Sequence, residues 1–392
     1  MAQTAAHLVD HVIPHVPVRQ WVLAMPIPLR LLLAAQPKLV KPVLQVVHRV
    51  ITRFLLDQAG LKADEADSGA VTLIQRFGSA ANLNIHLHCL VLDGVYCCDT
   101  EGEPVFVEVP APNDEALQTA LRKIITRLMK LLTLGVLVEE EGSTYMADSD
   151  ADSDEARVLM PLQAAACTYR IAFSPRAGQK VLTVQGAMPM DADFKQPLCA
   201  DIDGFSLHAA VRCGADDRQG LEQLCRYITR PALADERVQT NAAGKVVLKL
   251  KTAWRDGTTH LVMSPLEFMQ RLAALVPRPR LHLIRFHGVL APNAKLRALV
   301  VPQEPEPLAP AAPPAEYEAG CSHHRPVRLG WAKLLKRVFE IDMEHCPNCG
   351  GTLKIISATL EQPVIEKILT HLGLQARAPP RAPARGSQLQ AA

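Results

Sequence analysis

Asn84-Ile85-His86-Leu87-His88-Cys89-Leu90-Val91-Leu92 reads as a buried strand that carries two histidines on one face. Apolar residues fill almost every other position, and strand side chains alternate between faces, so His86 and His88 are neighbours on the same side. Imidazoles placed in this way are either joint ligands of one cation or core histidines hydrogen-bonded to backbone, and the strand alone does not choose between these. Gly69 to Phe77 reads as a second strand, and Gly78-Ser79-Ala80-Ala81-Asn82-Leu83 supplies turn residues between the two. The pattern predicts an antiparallel hairpin, closed beyond the histidines by Asp93-Gly94.

Two ligands underhold most cations, so a third polar group has to approach from a neighbouring strand. Gln75 on the preceding strand is the first choice, with Asn84 on the histidine face as the alternative and an ordinary strand polar residue as the plain reading of Gln75. A cation held there would neutralise the non-bridging oxygens of a phosphodiester, and cleavage would then need a nucleophile in line with the leaving oxygen. A phenol suits the task, because it can form and later release a phosphodiester without an outside energy source.

Five tyrosines are available, and helical periodicity singles out one. In Leu221-Glu222-Gln223-Leu224-Cys225-Arg226-Tyr227-Ile228-Thr229-Arg230 the buried stripe is Leu221, Leu224, Cys225 and Ile228, and Tyr227 falls off it beside Gln223 and Arg230. Arg226 and Arg230 bracket that hydroxyl with positive charge, which favours an incoming phosphate. Tyr96 and Tyr169 lie in strand-like contexts that favour packing, while Tyr145 and Tyr317 lie in polar or Pro-rich stretches.

Charge and composition agree with a polyanionic partner. The formal net charge is only +2, but residues 139 to 155 hold eight of the 40 acidic groups and no Lys or Arg; without that run, 42 basic residues face 32 acidic ones. The acidic segment through Ala156 reads as a solvated loop, lacking the Gly and terminal Glu spacing of an EF-hand. Residues 270 to 300 contain no acid. Arg278, Arg280 and Arg285 within them, together with Lys249 and Lys251 on one face of a strand over Lys245 to Lys251, are candidate contacts to a phosphate backbone. Ten scattered cysteines in so long a chain indicate reduced thiols and a cytoplasmic protein. The most membrane-like run, Trp21 to Ala35, is short and broken by Pro26, Pro28 and Arg30, so no membrane partner is expected.

Further helices are predicted over Leu39 to Gln58, over 115 to 134 and after Ser264-Pro265-Leu266-Glu267, where Ser caps, Pro opens and Glu stands three residues on. His15 to Pro26 reads as a strand entering a Pro turn. A Pro-rich linker over 302–325 separates a body over 1–301 from a C-terminal module over 326–375, and a basic tail over 376–392 is expected to be disordered. In the module, Cys346-Pro347-Asn348-Cys349-Gly350-Gly351 presents two thiolates suited to Zn²⁺; Cys321, His323, His324 or His345 would have to complete a tetrahedral site, and a solitary reduced turn is the alternative.

The run from Thr72 to Tyr96, which includes the histidine strand, resembles the HUH region of the insertion sequence 91 family of transposases, including the common-region elements. Further points of resemblance are Pro17-Val18-Arg19-Gln20-Trp21-Val22-Leu23, Cys225-Arg226-Tyr227-Ile228-Thr229-Arg230-Pro231, Arg285-Phe286-His287-Gly288-Val289-Leu290-Ala291-Pro292 and the CxxC turn. The resemblance implies an α+β fold: an HUH endonuclease core with a central antiparallel sheet flanked by helices. It also implies rolling-circle-like transposition in which a tyrosine attacks single-stranded DNA at a transposon end, keeps a 5'-phosphotyrosine and frees a 3'-OH. His86 and His88 then carry over as ligands of Mg²⁺ or Mn²⁺ and Tyr227 as nucleophile, with target DNA and host replication machinery as further partners. Pro231 stands near where some relatives have a second tyrosine, which places the chain with the single-tyrosine branch. A Cys-rich segment usual ahead of this start is absent, which suggests a truncated copy or a late start site. The alternatives are a replication initiator or relaxase with the same chemistry, or an inactive DNA-binding remnant.

Overall fold

The computed structural model describes residues 1–135, 137–140, 143–146, 154–187, 197–277, 281–302, 329–346, 349–353, 359, 361–371 and 373. The chain divides into two compact units, one of Leu8–Glu304 and one of Met1–His7 with Pro305–Ala392. Helix α1 (Ala2–His11) precedes strand β1 (Val18–Ala24), helix α2 (Ile27–Ala35) and helix α3 (Val40–Ala59). Strands β2 (Ala66–Asp67), β3 (Gly69–Phe77), β4 (Leu83–Leu92), β5 (Gly94–Cys98) and β6 (Pro104–Glu108) follow, then helix α4 (Asp114–Gly135). Beyond it come the hairpin β7 (Leu137–Glu140) and β8 (Ser143–Met146), helix α5 (Asp154–Cys167), and strands β9 (Leu182–Gln185), β10 (Cys199–Ile202), β11 (Phe205–His208) and β12 (Arg212–Cys213). Helix α6 (Arg218–Ile228) leads to β13 (Val238–Thr240), β14 (Val246–Lys249), β15 (Thr258–Met263), α7 (Pro265–Leu275), β16 (Ile284–Gly288) and α8 (Arg297–Val300). The C-terminal unit holds α9 (Trp331–Phe339) and α10 (Gln362–His371).

The central sheet is antiparallel, in the order β10-β11-β1-β4-β3-β16, with β12 pairing the start of β1. The expected hairpin is β3 and β4, and its register sets Gln75 opposite His86 and Leu73 opposite His88. Residues directly opposed across antiparallel strands share a face. One face, here the back, turns Ile85, Leu87, Cys89 and Val91 into a core with Val43, Val47 and Ile51 of α3 and Leu117, Leu121 and Ile124 of α4. Each such fully buried side chain contributes roughly 1.5–3 kcal/mol, which pins the register, because a one-residue slip would turn every one of them outward. The front face therefore receives Asn84, His86 and His88.

A buried ionic clasp fixes the sheet. Asp93 accepts from Arg19 Nε and Nη2, each at 2.9 Å, and from Arg212 Nε at 2.8 Å. Arg19 also donates to the Ala209 carbonyl at 3.1 Å, which ties β1 to the chain on either side of it. A second antiparallel sheet, β13-β14-β15-β9, lies in the same unit, and Arg237 links it to the β3–β4 turn by donating to the carbonyls of Lys249 at 2.8 Å and of Ser79.

Of the acidic stretch expected as a solvated loop, residues 147–153 lie outside the described residues; the stretch begins in the β7–β8 hairpin, and α5 starts at Asp154. Two expectations are corrected. The strand expected over Lys245 to Lys251 stops at Lys249. Tyr169 is not on a strand; it has φ +57° beyond the end of α5 and packs edge-on to Trp254 with ring centroids 5.0 Å apart. The linker from residue 303 and the tail from 374 lie outside the described residues.

Candidate active site

His86 and His88 sit edge to face, with ring centroids 4.8 Å apart. His86 Nδ1 lies 2.8 Å from the Asn84 carbonyl, which only accepts, so Nδ1 carries the proton and Nε2 keeps its lone pair. Burial, with the charges of Arg30 and Arg230, outweighs that hydrogen bond and lowers His86 to about 4. His88 is buried more completely, and burial, His86 and Arg230 hold its pKa well below the ordinary value. Both imidazoles are therefore neutral near pH 7, the form that binds a cation.

Two polar side chains support the pair. Gln20 Nε2 lies 2.8 Å from His88 Nδ1. With that amide turned so that its oxygen faces the ring, His88 Nδ1 donates and Nε2 retains a lone pair, the usual arrangement behind a ligating histidine. His88 Nε2 is buried and has no hydrogen-bond partner among the described residues, so it is an orphan aimed at something else. Gln75, buried on the same face, donates through Nε2 to the Ile228 carbonyl at 3.1 Å, which leaves its oxygen as the atom available to a cation. These residues fit the expected two-histidine, one-amide ligand set. Asn84 Oδ1 is also buried without a described partner and remains the alternative third donor.

That hydrogen bond from Gln75 fastens the tail of α6 to the histidine hairpin. Asp217 caps α6 by accepting from the Gly220 amide at 2.9 Å, and Leu221, Leu224, Cys225 and Ile228 are buried as the periodicity predicts. Tyr227 falls off the stripe, half-buried. Lys251 Nζ donates to its hydroxyl at 3.0 Å and stands 4.4 Å from the ring centroid, while the Arg230 guanidinium lies 4.1 Å from that centroid. Burial raises the Tyr227 pKa, but the Lys251 hydrogen bond and the charges of Arg230 and Lys251 together outweigh it, and the net shift is downward. Arg230 acts on Tyr227, His86 and His88 alike, so one cation's field spans the tyrosine and the histidines.

The remaining candidates divide. Arg226 pairs with Glu222 of its own helix at 3.6 Å, so its charge is partly spent there. Lys251, just past the end of β14, contacts the tyrosine rather than sharing a strand face with Lys249, which is exposed opposite His260. Arg285 pairs with Thr72, on the face of the sheet away from His86. Arg278 and Arg280 lie outside the described residues, as do Cys321, His323 and His324. The competing tyrosines pack: Tyr96 is buried edge-on to Phe106, and burial raises the pKa of both Tyr96 and Tyr169. Arg30 and Gln20 are site residues that the sequence reading missed; a Gln amid the apolar strand Val18–Ala24 was the available signal for the second.

In the C-terminal unit the Cys346 amide donates to the Gly351 carbonyl at 2.8 Å and the Gly350 amide to the Cys346 carbonyl at 2.9 Å. Gly350 has φ +71°, and residues 347–348 between the two cysteines lie outside the described residues. His345 faces Asp342 through Nδ1, at 3.1 Å.

A family model described as "Putative transposase" matches residues 69–297, more than half of the chain and including the histidine strand, α6 and Lys251. No curated protein matches. No solved structure matches either. No helix among the described residues is long and apolar enough to cross a membrane. The chain belongs to this transposase family.

Proposed function

We propose, for this member of a transposase family, that the protein nicks and transfers single-stranded DNA at transposon ends, with Tyr227 as nucleophile. The observation that carries the reading is the placement of the Tyr227 hydroxyl under Lys251, with Arg230 acting on it and on the histidine pair. Tyr227 Oη forms a bond to phosphorus as the bond from phosphorus to the 3'-oxygen breaks; the phenolic proton leaves to solvent, and the departing oxygen keeps the electron pair and takes up a proton. The products are a 5'-phosphotyrosine and a free 3'-OH, which can reverse the step at a target DNA or prime host replication.

Each side chain has a part in this. Lys251 favours the phenolate by donating to it, and Arg230 draws the phosphate in. His86, His88 and Gln75 would hold Mg²⁺ or Mn²⁺, which supplies charge neutralisation at the non-bridging oxygens. Arg226, Arg278, Arg280 and Lys249 remain candidate backbone contacts, with the catalytic body over 1–301. Cys346 and Cys349 are proposed ligands of Zn²⁺ in a module over 326–375.

The test is Tyr227→Phe, which keeps the helix packing and removes one oxygen. We expect cleavage and the covalent protein–DNA adduct both to vanish while single-strand binding persists, with the wild-type adduct mapping to Tyr227. An adduct on Tyr96 or Tyr169 would reassign the nucleophile. Absence of any adduct, with metal present and a range of single-stranded substrates, would favour an inactive DNA-binding remnant.

A further inference from the structure

The back of the central sheet carries a second histidine pair. His48 of α3 and His287 of β16 stack with ring centroids 3.6 Å apart and planes 23° from parallel. His48 is fixed from below, its Nε2 lying 2.6 Å from Thr72 Oγ1. His287 is held by the backbone turn that follows it: Gly288, at φ +58°, comes so close to the Ser68 carbonyl that no side chain would fit, and the Val289 amide donates to that same carbonyl at 3.0 Å. Beside the stack opens a cavity of about 370 Å³, lined by His48, Arg49, Thr52, Arg53, Ser68 and His287 among others, with no Asp or Glu in its wall.

One buried nitrogen in this wall, His287 Nε2, has no hydrogen-bond partner among the described residues. Buried polar atoms are normally satisfied, so in its N–H form this orphan nitrogen marks a missing acceptor. Of the two arginines in the cavity wall, Arg53 is engaged with Asp57 at 2.9 Å, whereas Arg49 is exposed at the rim.

We propose that this cavity is an oxyanion site that takes a phosphate group, with His287 Nε2 as the buried donor and Arg49 as the countercharge. It lies on the face of the sheet opposite the metal-ligand candidates, and it does not depend on the assignment of Tyr227. The cavity exceeds a bare phosphate, so the group can arrive either as the free ion or as part of a DNA backbone.

The test uses the full chain and separates those sources. Inorganic phosphate is titrated against chloride at matched ionic strength, and thermal unfolding is followed. The wild type should gain a saturable rise in Tm, because a ligand that binds only the folded form stabilises it. His287→Phe, which keeps a ring on His48 but loses the nitrogen, and Arg49→Gln, at an exposed position, should each lose that rise. In the second arm a single-stranded oligonucleotide without an element end binds in a Tyr227→Phe background. If the phosphate belongs to DNA, adding Arg49→Gln should weaken binding and flatten its salt dependence by about one unit of slope. An unchanged slope together with the phosphate-induced rise identifies the free ion. No rise with phosphate and no change in slope would overturn the proposal, as would a rise that survives in both variants.

Discussion

One sheet carries two histidine pairs, and they differ in how they are built. On the front, His86 and His88 come from a single strand, sit edge to face, and leave His88 Nε2 buried without a partner among the described residues. On the back, His48 and His287 come from a helix and an edge strand and lie nearly flat on each other. The first geometry keeps the two rings at an angle on one face, the arrangement our proposed shared cation would use. The second stacks the rings face to face, which suits shape and hydrogen bonding. Histidine content alone predicts neither role; ring orientation and the bond at the second nitrogen do.

The comparison breaks most visibly if the front pair is removed. His86→Ala and His88→Ala should each lower the nicking rate roughly a thousandfold, about 4 kcal/mol of barrier at ~1.4 kcal/mol per tenfold, while single-strand binding is kept. Nicking that continues in excess chelator would count against a cation at this pair. An effect on stability but none on rate would make the front histidines core residues like any others.

Both faces hang on one sheet, and the Asp93 clasp tests that dependence. Asp93→Asn keeps the shape but strips the charge that Arg19 and Arg212 share, leaving a buried guanidinium poorly matched. Breaking a buried pair in this way costs about 3 kcal/mol or somewhat more, read as a lower midpoint in urea unfolding. A midpoint unchanged from wild type would show that the clasp contributes nothing to holding β1 beside β4.

The same contrast shows what the sequence makes legible. The front pair can be read directly, because a two-residue spacing on a strand fixes a shared face, and Tyr227 follows from a helical stripe that it does not join. Both are local patterns. The link between them is not local: Lys251 reaches Tyr227 across 24 residues, from a strand that ends two positions earlier than its alternation suggests. Its strand position makes Gln75 a ligand candidate, but its hydrogen bond to the end of α6 depends on tertiary packing. The back pair was not legible at all, since His48 reads as one polar residue in an amphipathic helix and its partner lies far along the chain.

Lys251 offers a smaller but more diagnostic effect. Lys251→Met removes the donor and one of the charges that hold the Tyr227 pKa down, so the phenol becomes harder to ionise. If the phenolate is the attacking form, the rising limb of the pH–rate profile should move to higher pH, and the rate near neutrality should fall about tenfold, or ~1.4 kcal/mol. A uniform loss at every pH, with the limb unmoved, would make Lys251 a phosphate contact rather than a partner of the tyrosine.

The smallest expected effect belongs to the back pair and is one of stability. Burial, with the charge of Arg285, lowers His287 to about 4, while an unfolded chain titrates its histidines near the ordinary value of about 6.5. As pH falls through that value the unfolded chain takes up a proton that the folded chain refuses, so acidification destabilises the fold, and the loss continues until the folded value is reached. Between about pH 7 and about pH 6, one such histidine accounts for about 0.7 kcal/mol. His287→Phe deletes that titration, so in phosphate-free buffer its stability should decline less over the interval than that of the wild type by this amount. Parallel declines would mean that His287 takes up its proton as readily folded as unfolded, and that the back face is open to water rather than closed around a neutral stack.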